Sequence, residues 1–240
     1  MPDRAAIVTG ASRGIGLAIA EALAQEGYGL TITARKPQTL DETAERLRDK
    51  GYEVEHLAVN MADEDGIHEV VRLHRERFGR LDVLVNNAGV GIGAPAGEHQ
   101  TKFVDMQLDV NLRAIVLFYR ECLELLKAAG AEHRNALVVN LASLAAKSPQ
   151  PWLSVYSATK AAVLAYTQAM NKELNGDGIK SVAFAPGFVD TDMSEFIRDS
   201  VRQEDMLRPT DITEALRFLL RVSPNCVVPE IVFQRPGETI

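Results

Sequence analysis

Apolar residues recur with two alternating periods along the chain, and each period predicts a different element. Short apolar runs predict seven strands, at residues 5–8, 29–33, 53–59, 81–85, 136–141, 179–185 and 230–233. Longer stretches with one apolar face predict helices at residues 14–26, 40–50, 64–78, 102–129, 153–175 and 211–221. Alternating strands and helices are typical of a parallel sheet covered on both faces, so the pattern predicts an α/β fold with a doubly wound sheet.

The alternation continues without a linker, a repeat or a low-complexity segment, so we expect residues 1–240 to form a single domain. Gly27, Gly51 and Gly130 each follow a helical pattern and predict a helix end there. Residues 190–209 are polar and rich in turn residues. We name residues 188–209 the lid segment, because this pattern is typical either of a mobile lid over a substrate site or of a surface loop with a short helix.

Composition and charge are those of an ordinary globular protein, with 46% apolar residues, 25% charged residues and a net charge of −7. The acidic balance argues against a nucleic-acid surface, which requires a basic stripe. No apolar run approaches the roughly 18 residues of a membrane span, and residues 5–8 are too short for a signal peptide. Cys122 and Cys226 form no disulfide framework, and the five histidines lack metal-ligand spacing. We therefore expect a cytoplasmic protein with no metal.

A glycine-rich turn follows the first predicted strand and reads Thr9-Gly10-Ala11-Ser12-Arg13-Gly14-Ile15-Gly16. A strand that passes through such a turn into a helix directs backbone N–H groups and the positive helix end at a phosphate. Gly10 allows the tight turn, Gly14 allows close approach of a pyrophosphate, and Gly16 allows the helix to pack on the sheet. The spacing differs from the common GxGxxG pattern, but its place after strand one predicts a dinucleotide site.

The end of the second predicted strand indicates which dinucleotide binds. Proteins that bind NAD carry an acidic residue about 20 residues beyond the glycine turn, where it holds the ribose 2′-hydroxyl. This chain has Ala34 and Arg35 there, and no carboxylate. The planar guanidinium of Arg35 suits a 2′-phosphate, and Arg13 in the glycine turn can approach the same group. The residues therefore favour NADP(H) over NAD(H).

Further motifs follow in a fixed order along the chain. Asn86-Asn87-Ala88-Gly89 comes after the fourth strand, Asn111 lies in the next helix, and Ser143 precedes Tyr156-Ser157-Ala158-Thr159-Lys160 by thirteen residues. Pro186-Gly187-Phe188-Val189-Asp190-Thr191 comes after the sixth strand. Together with the glycine turn, these segments match the TGxxxGxG, NNAG, YxxxK and PG motifs. The sequence thus resembles the short-chain dehydrogenase/reductase family over nearly its whole length.

The resemblance implies a single-domain Rossmann-type sheet of about seven strands and an oxidoreductase that transfers hydride between NADP(H) and a carbonyl or secondary alcohol. It assigns catalysis to Asn111, Ser143, Tyr156 and Lys160, and substrate contact to Ser143, Trp152 and Tyr156. The implied cofactor residues are Gly10, Ser12, Arg13, Gly14, Ile15, Gly16, Arg35, Asn60, Met61, Asn87, Ala88, Gly89, Tyr156, Lys160, Pro186, Gly187, Val189 and Thr191. The family also implies a homo-oligomer, a dimer or a tetramer paired through helices 102–129 and 153–175.

The sequence departs from the family pattern at two places. Asn60 stands where similar proteins usually have an aspartate that binds the adenine amino group; an amide oxygen still accepts a hydrogen bond but carries no charge. Residues 228–233 lack the glycine-rich ending of many ketoacyl reductases, which weakens the case for a role in fatty-acid synthesis.

The proposed chemistry needs a proton donor near a developing alkoxide. Tyr156 supplies that proton, and an ammonium at Lys160, one helical turn away, is expected to lower the phenol pKa from its usual value near ~10. Ser143 is expected to hold the substrate oxygen, and Asn111 to anchor a water that links Lys160 to solvent. Trp152 either lines the substrate pocket or packs against its neighbours.

Two other functions compete with this interpretation. A catalytically silent NADP-binding sensor or scaffold would use the same glycine turn, although it would tolerate loss of Tyr156 or Lys160, and the chain has both. A sugar-nucleotide epimerase or dehydratase uses the same Tyr and Lys. It generally needs a larger C-terminal lobe, and only about 50 residues follow Pro186.

Overall fold

A computed structural model gives the structure of residues 2–237. The strands are β1 Arg4–Thr9, β2 Tyr28–Ala34, β3 Val54–Ala58, β4 Val83–Asn86, β5 Ala136–Leu141, β6 Ile179–Pro186 and β7 Glu230–Phe233. The helices are α1 Gly14–Gln25, α2 Pro37–Asp49, α3 Glu64–Phe78, α4 Thr101–Leu108, α5 Ala114–His133, α6 Ser154–Leu174 and α7 Pro209–Arg221. All strand pairs are parallel, and the sheet order is β3-β2-β1-β4-β5-β6-β7. The predicted α/β fold with a doubly wound parallel sheet is confirmed.

Helices cover both faces of the sheet, and each face has its own core. On one face, Ile19 of α1, Leu47 of α2 and Leu216 of α7 are buried against the strands. On the other face, α3, α5 and α6 contribute Val70, Phe118 and other buried residues. Because both faces are covered, the central strands are runs of buried residues rather than alternations of apolar and polar ones.

The order of the strands reverses between β1 and β4. From β1 the chain adds β2 and β3 on one side of the sheet, then crosses to add β4 to β7 on the other. The helices that follow β1 and β4 therefore leave in opposite directions. A crevice opens at the carboxyl ends of these strands, which is where ligands bind in open α/β sheets.

The helix predicted over residues 102–129 is present but irregular. The structure has α4, then a π-helical turn at Asp109–Arg113, then α5, and the backbone stays helical through both junctions. Asn111 lies in this turn and is fully buried, with its side chain bonded to the backbone of Val90. Such π turns are common at functional sites.

The predicted helix end at Gly130 is wrong. The helix α5 continues to His133 and ends at Arg134, which takes the left-handed conformation with φ 55°. A Cβ on Gly130 would lie 2.2 Å from the carbonyl oxygen of Asp177. The glycine is therefore required by close packing of two backbones. The helix ends predicted at Gly27 and Gly51 are confirmed, since both have positive φ directly after α1 and α2.

The lid segment contains two short 3-10 stretches, Asp192–Ile197 and Gln203–Asp205. Its two ends are joined at the base: the N–H of Asp190 donates to the carbonyl of Leu207 at 2.8 Å, and the N–H of Leu207 donates to the carbonyl of Phe188 at 3.0 Å. The segment is therefore a closed loop with short helical turns. Within residues 2–237, no helix has the length and apolar character that crossing a membrane requires.

Candidate active site

A cavity of about 700 Å³ lies over the carboxyl ends of strands β1 to β6. Every predicted cofactor residue lines it: Gly10, Ser12, Arg13, Gly14, Ile15, Gly16, Arg35, Asn60, Met61, Asn87, Ala88, Gly89, Tyr156, Lys160, Pro186, Gly187, Val189 and Thr191. Ser143 lines it as well. Asn111 and Trp152 do not line this cavity; Asn111 lies beneath it and Trp152 beside its mouth.

The glycine turn is held from below by the segment after β4. The side-chain N–H group of Asn87 donates to the carbonyls of Thr9 at 2.8 Å and Gly10 at 3.1 Å. The Thr9 hydroxyl in turn accepts from the backbone N–H groups of Asn87 and Ala88, both at 3.0 Å. A Cβ on Gly16 would lie 2.3 Å from both Asn87 Nδ2 and the Gly10 oxygen. No side chain fits there, so the turn, the first helix and the NNAG segment form one packed unit.

Three basic side chains, Arg13, Arg35 and Lys36, line the end of the cavity beyond β2. Arg35 and Lys36 are exposed, and neither side chain has a hydrogen bond or ion pair with any residue in 2–237. Lys36 and Thr39 also line the cavity, and the sequence reasoning missed both; the position of Lys36 beside Arg35 was the available signal. This end therefore has free positive charge.

Arg13, unlike Arg35 and Lys36, has an ion-pair partner. Its guanidinium pairs with Asp192 of the lid segment at 2.7 Å, and both side chains are exposed. The methyl of Thr191 lies 3.2 Å from the position of a Cβ on Gly14, so the lid segment touches the glycine turn at two adjacent residues. The side-chain oxygen Oδ1 of Asn60 accepts from the N–H of Ala62 at 3.2 Å, which forms a local turn beside the cavity.

The helix α6 places Tyr156 and Lys160 one turn apart at the other end of the cavity. The ammonium of Lys160 is buried and donates to the carbonyl of Leu141 at 2.6 Å. It lies 5.8 Å from the centre of the Tyr156 ring. Burial lowers the pKa of Lys160 to about 8. The acceptor is the backbone carbonyl of Leu141, which every residue type has, so the sequence could not predict this contact.

The protein groups shift the pKa of Tyr156 in the direction opposite to the one expected. Burial raises the pKa of the phenol, and the Ser143 hydroxyl opposes this shift without reversing it. Lys160 does not overcome the effect because its ammonium is bonded to Leu141 and faces the ring rather than the phenol oxygen. The Ser143 hydroxyl oxygen accepts from the N–H of Ala145 at 3.1 Å, which leaves its O–H group as a donor.

Asn111 is engaged on both sides of its amide. Its oxygen accepts from the N–H of Val90 at 2.8 Å, and its NH₂ group donates to the carbonyl of Val90 at 2.9 Å and to the Thr159 hydroxyl at 3.0 Å. The Thr159 hydroxyl donates to the carbonyl of Tyr156 at 2.8 Å. Asn111 thus connects the loop after β4 to the backbone of the helix that carries Tyr156.

Trp152 lies at the rim of the cavity, just before α6. Its backbone has φ 24°, and its carbonyl accepts from the N–H of Ala94 at 2.8 Å. The indole ring meets Phe196 of the lid segment edge to face, at 5.8 Å between ring centres. Trp152 therefore packs against neighbours and borders the open side of the site. Among residues 2–237, no group of three or more His, Cys, Asp or Glu side chains could hold a metal.

Comparison with known proteins gives the context for this geometry. The family model described as short chain dehydrogenase matches residues 4–202. An uncharacterized oxidoreductase of Staphylococcus saprophyticus is 33% identical over 232 residues, which cover 96% of this chain and 97% of that protein. The chain belongs to the short-chain dehydrogenase/reductase family. It is thus an oxidoreductase by family, as its motifs predict.

Two solved structures of the family agree with the fold. An alcohol dehydrogenase from Thermococcus sibiricus, complexed with 5-hydroxy-NADP, has a TM-score of 0.86 and 31% identity, covering 98% of this chain and 99% of its own. A 3-ketoacyl-(acyl-carrier-protein) reductase from Brucella melitensis, complexed with NADH, has a TM-score of 0.88 and 28% identity, covering 100% and 99%. The Rossmann-type sheet is confirmed, and relatives with this fold bind nicotinamide dinucleotides of both kinds.

Proposed function

We propose that this protein, as a single domain, transfers hydride between NADP(H) and a carbonyl or secondary alcohol. The observation that carries the proposal is the convergence of a glycine turn, a buried Lys160, Ser143 and Tyr156 on one cavity of about 700 Å³. The dimensions of the cavity suit an extended cofactor, with free cations at one end and the phenol at the other. The Thermococcus alcohol dehydrogenase, complexed with an NADP derivative, supports the assignment.

The residues present fit this cofactor. The N–H groups of the glycine turn suit the pyrophosphate, and Arg35 and Lys36 suit a ribose 2′-phosphate because neither has a partner in the protein. Val189 and Thr191 also line the cavity, and the Thr191 methyl lies beside Gly14 of the glycine turn. When bound there, the nicotinamide supplies or accepts the hydride.

The protein side of the reaction is proton transfer and orientation. A phenol whose pKa is raised stays protonated at neutral pH, so Tyr156 suits the role of general acid in carbonyl reduction. The Ser143 hydroxyl also suits donation to the same substrate oxygen, which it would orient. The Lys160 ammonium lies beneath the tyrosine ring and stabilises negative charge on the phenol after the proton has left. Asn111 holds the helix and the loop together around these groups.

Replacing Tyr156 tests the proposal. Tyr156→Phe keeps the ring but removes the proton donor, so the turnover number should fall by the ~10²–10⁴ typical of lost acid–base catalysis. NADPH-dependent reduction is followed by absorbance against a panel of ketones. The affinity for NADPH, measured from the fluorescence of the single tryptophan, should stay nearly unchanged.

Tyr52→Phe is the matched control, because Tyr52 packs against the other core and lies outside the cavity. Near-normal reduction by the Tyr156→Phe protein would show that another acid serves the reaction. NADPH binding without reduction of any carbonyl, by the unmodified protein, would instead support the silent sensor or scaffold.

We also propose a homo-oligomer, a dimer or tetramer, in the cytoplasm. Leu108 of α4 and Val116 of α5 are large apolar side chains left exposed on the helices that follow β4. Cys122 and Cys226 are both free thiols, which suits a reducing compartment. Light scattering at micromolar concentration tests the assembly: a species of only 26.3 kDa contradicts it.

A further inference from the structure

Three aromatic side chains form a row at the mouth of the cavity. Trp152 meets Phe196 edge to face at 5.8 Å, and Phe196 meets Phe188 edge to face at 6.3 Å. We call these three residues the aromatic wall. They come from two separate segments: Trp152 from the turn before α6, and Phe188 and Phe196 from the two ends of the first part of the lid segment. Such a row is assembled only by the tertiary fold.

The wall is exposed where apolar groups are normally buried. Trp152 is 48% exposed and Phe196 is 57% exposed, and the neighbouring Met193, which lines the cavity, is 57% exposed. Isolated exposed apolar residues need no explanation, but a cluster beside a cavity is typical of a ligand site. Two of the three wall residues therefore present exposed aromatic surface beside Met193, which lines the cavity, although the rings themselves lie outside its lining.

The loop after Asn87 contains Gly91 and Gly93, and its contacts limit the distance between Trp152 and Tyr156. A Cβ on Gly91 would lie 3.4 Å from Cδ2 of Tyr156, and a Cβ on Gly93 would lie 2.1 Å from Cε3 of Trp152. Gly91 and Gly93 are two residues apart, a span of at most ~7 Å in an extended chain. With the two contacts added, the nearest atoms of the indole and of the phenol ring lie within about 12 Å of each other. One or two six-membered rings on a carbonyl carbon cover that distance.

The backbone of Trp152 is held in a costly conformation. Its φ of 24° lies in the region that only glycine adopts readily, and the bond from Ala94 and the contact with Gly93 hold it there. Residues kept in such conformations cluster at ligand sites. The fold therefore maintains the indole at the rim instead of burying it.

Charged side chains of both signs lie near the wall. Asp190, Glu195 and Arg198 are within two residues of the rings in sequence, and the Arg235 guanidinium lies over the Phe188 ring, 5.9 Å from its centre. Asp190 and Arg198 pair with each other at 3.6 Å. Glu195 is exposed and has no ion pair with any residue in 2–237. The aromatic surface, rather than charge of one sign, therefore distinguishes this side of the site.

We infer that the substrate class is a ketone or secondary alcohol that carries an aromatic or alicyclic ring next to the reacting carbon. The ring packs against Trp152 and Phe196 while Tyr156 and Ser143 hold the oxygen. Flat rings suit this place because aromatic side chains stack on them in offset or edge-to-face geometry. This inference rests on the proposed function and narrows its substrate.

The first test compares carbonyl substrates with NADPH at saturation. Acetophenone and cyclohexyl methyl ketone should exceed 2-butanone in kcat/KM by at least tenfold. Phe196→Ala should lower kcat/KM for acetophenone by about tenfold, mainly through KM, and change the value for 2-butanone by less than twofold. Phe218→Ala, at an equally exposed phenylalanine on α7 away from the cavity, is the matched control.

A second measurement does not depend on turnover. Trp152 is the only tryptophan in the chain, so its fluorescence reports contact with the wall. In the presence of NADP⁺, acetophenone should change this fluorescence with saturation, while 2-butanone should not. Equal kcat/KM for ring and non-ring ketones, or an unchanged Trp152 signal, overturns the inference while the proposed function stands. A saturable signal without reduction of any carbonyl overturns the proposed function instead and leaves a ring-binding wall.

Discussion

The side-chain hydrogen bonds that hold the floor of the cavity are buried or partly buried, whereas the side-chain ion pairs of the lid segment are exposed. The floor comprises the glycine turn, the NNAG segment, the π-helical turn and α6, where Asn87, Asn111 and Lys160 each bond to backbone carbonyls. The lid segment relies on exposed ion pairs such as Arg13 with Asp192 and Arg202 with Asp205. Exposed pairs are worth at most ~1 kcal/mol, but a buried polar group that loses its partner costs ~1–3 kcal/mol.

The difference between the floor and the lid segment suits two steps of the proposed reaction, proton transfer and substrate entry. Proton transfer requires distances kept within a fraction of an ångström, which a floor of short bonds to backbone provides. Entry of a substrate requires a cover whose contacts break at little cost, which water-exposed pairs provide. Changes on the floor should therefore have large effects on cofactor binding and rate, and changes in the lid segment small ones.

The largest effect on NADPH binding is expected at Gly16, where the floor leaves no space for a side chain. Gly16→Ala would place a Cβ 2.3 Å from the Gly10 carbonyl oxygen, which belongs to the backbone and cannot rotate away. Overpacking of this kind costs ~1–3 kcal/mol, so the dissociation constant of NADPH should rise by about 10- to 100-fold. Fluorescence titration measures it. Gly97→Ala, where nothing lies within 4 Å, should bind as the unmodified protein does; unaltered binding by Gly16→Ala would contradict the rigid floor.

The next effect concerns an exposed edge of the cavity, at the end of β2. Arg35→Asp removes a free cation and introduces an anion at the proposed 2′-phosphate site. A charge-assisted bond contributes ~1.5–3 kcal/mol, so NADPH should bind at least tenfold more weakly and NADH should become the preferred cofactor. Titration of both cofactors tests this. Equal affinities of the unmodified protein for NADPH and NADH would remove the basis for the NADP assignment.

The pH profile should report the buried lysine of the floor. Burial lowers the pKa of Lys160 to about 8, so the ammonium persists below pH 8 and is lost as pH rises through that value. The rate of carbonyl reduction should be level up to about pH 8 and then fall roughly tenfold per pH unit. Lys160→Arg keeps its charge at all these pH values, so its residual activity should lack this decline. A level profile to pH 10 in the unmodified enzyme would speak against a role for the ammonium.

The smallest effect is expected in the lid segment. Asp192→Asn breaks the exposed pair with Arg13 and frees that guanidinium for the 2′-phosphate. Because exposed pairs are worth ~0.2–1 kcal/mol, NADPH should bind up to about fivefold more tightly, with NADH unchanged. Asp205→Asn, which breaks another exposed lid pair with Arg202, is the control. A loss of affinity greater than tenfold would show that the lid holds the cofactor as firmly as the floor does.

Much of the floor is predictable from the sequence, since its parts are local. The glycine turn, the four-residue spacing of Tyr156 and Lys160, and the seven strands all follow from neighbouring residues and hydrophobic period. Lys160 and Tyr156 share a helix face at any place where residues 153–175 are helical. The spacing of motifs after successive strands then brings them to one edge of the sheet.

The features that the sequence did not predict depend on distant contacts. Arg13 and Asp192 are 179 positions apart, and no local pattern relates them. Gly130 has the sequence context of a helix end, but the backbone of Asp177 beside it decides its role. The pKa of Tyr156 depends on burial in the folded chain, which reverses the direction that a lysine one turn away predicts. The aromatic wall likewise requires the turn before α6 to meet the lid segment.

The π-helical turn at Asp109–Arg113 limits where residues can be deleted or inserted when this scaffold is engineered. Its hydrogen bonds close one residue later than those of an α-helix, so it contains one residue more than a regular path would. Each α-helical residue turns the chain by ~100°. Trimming one residue here would rotate either α4 away from the cavity or the apolar face of α5 off the sheet. Grafts between relatives should keep this interval constant and change length instead near Gly97, where the chain has open space.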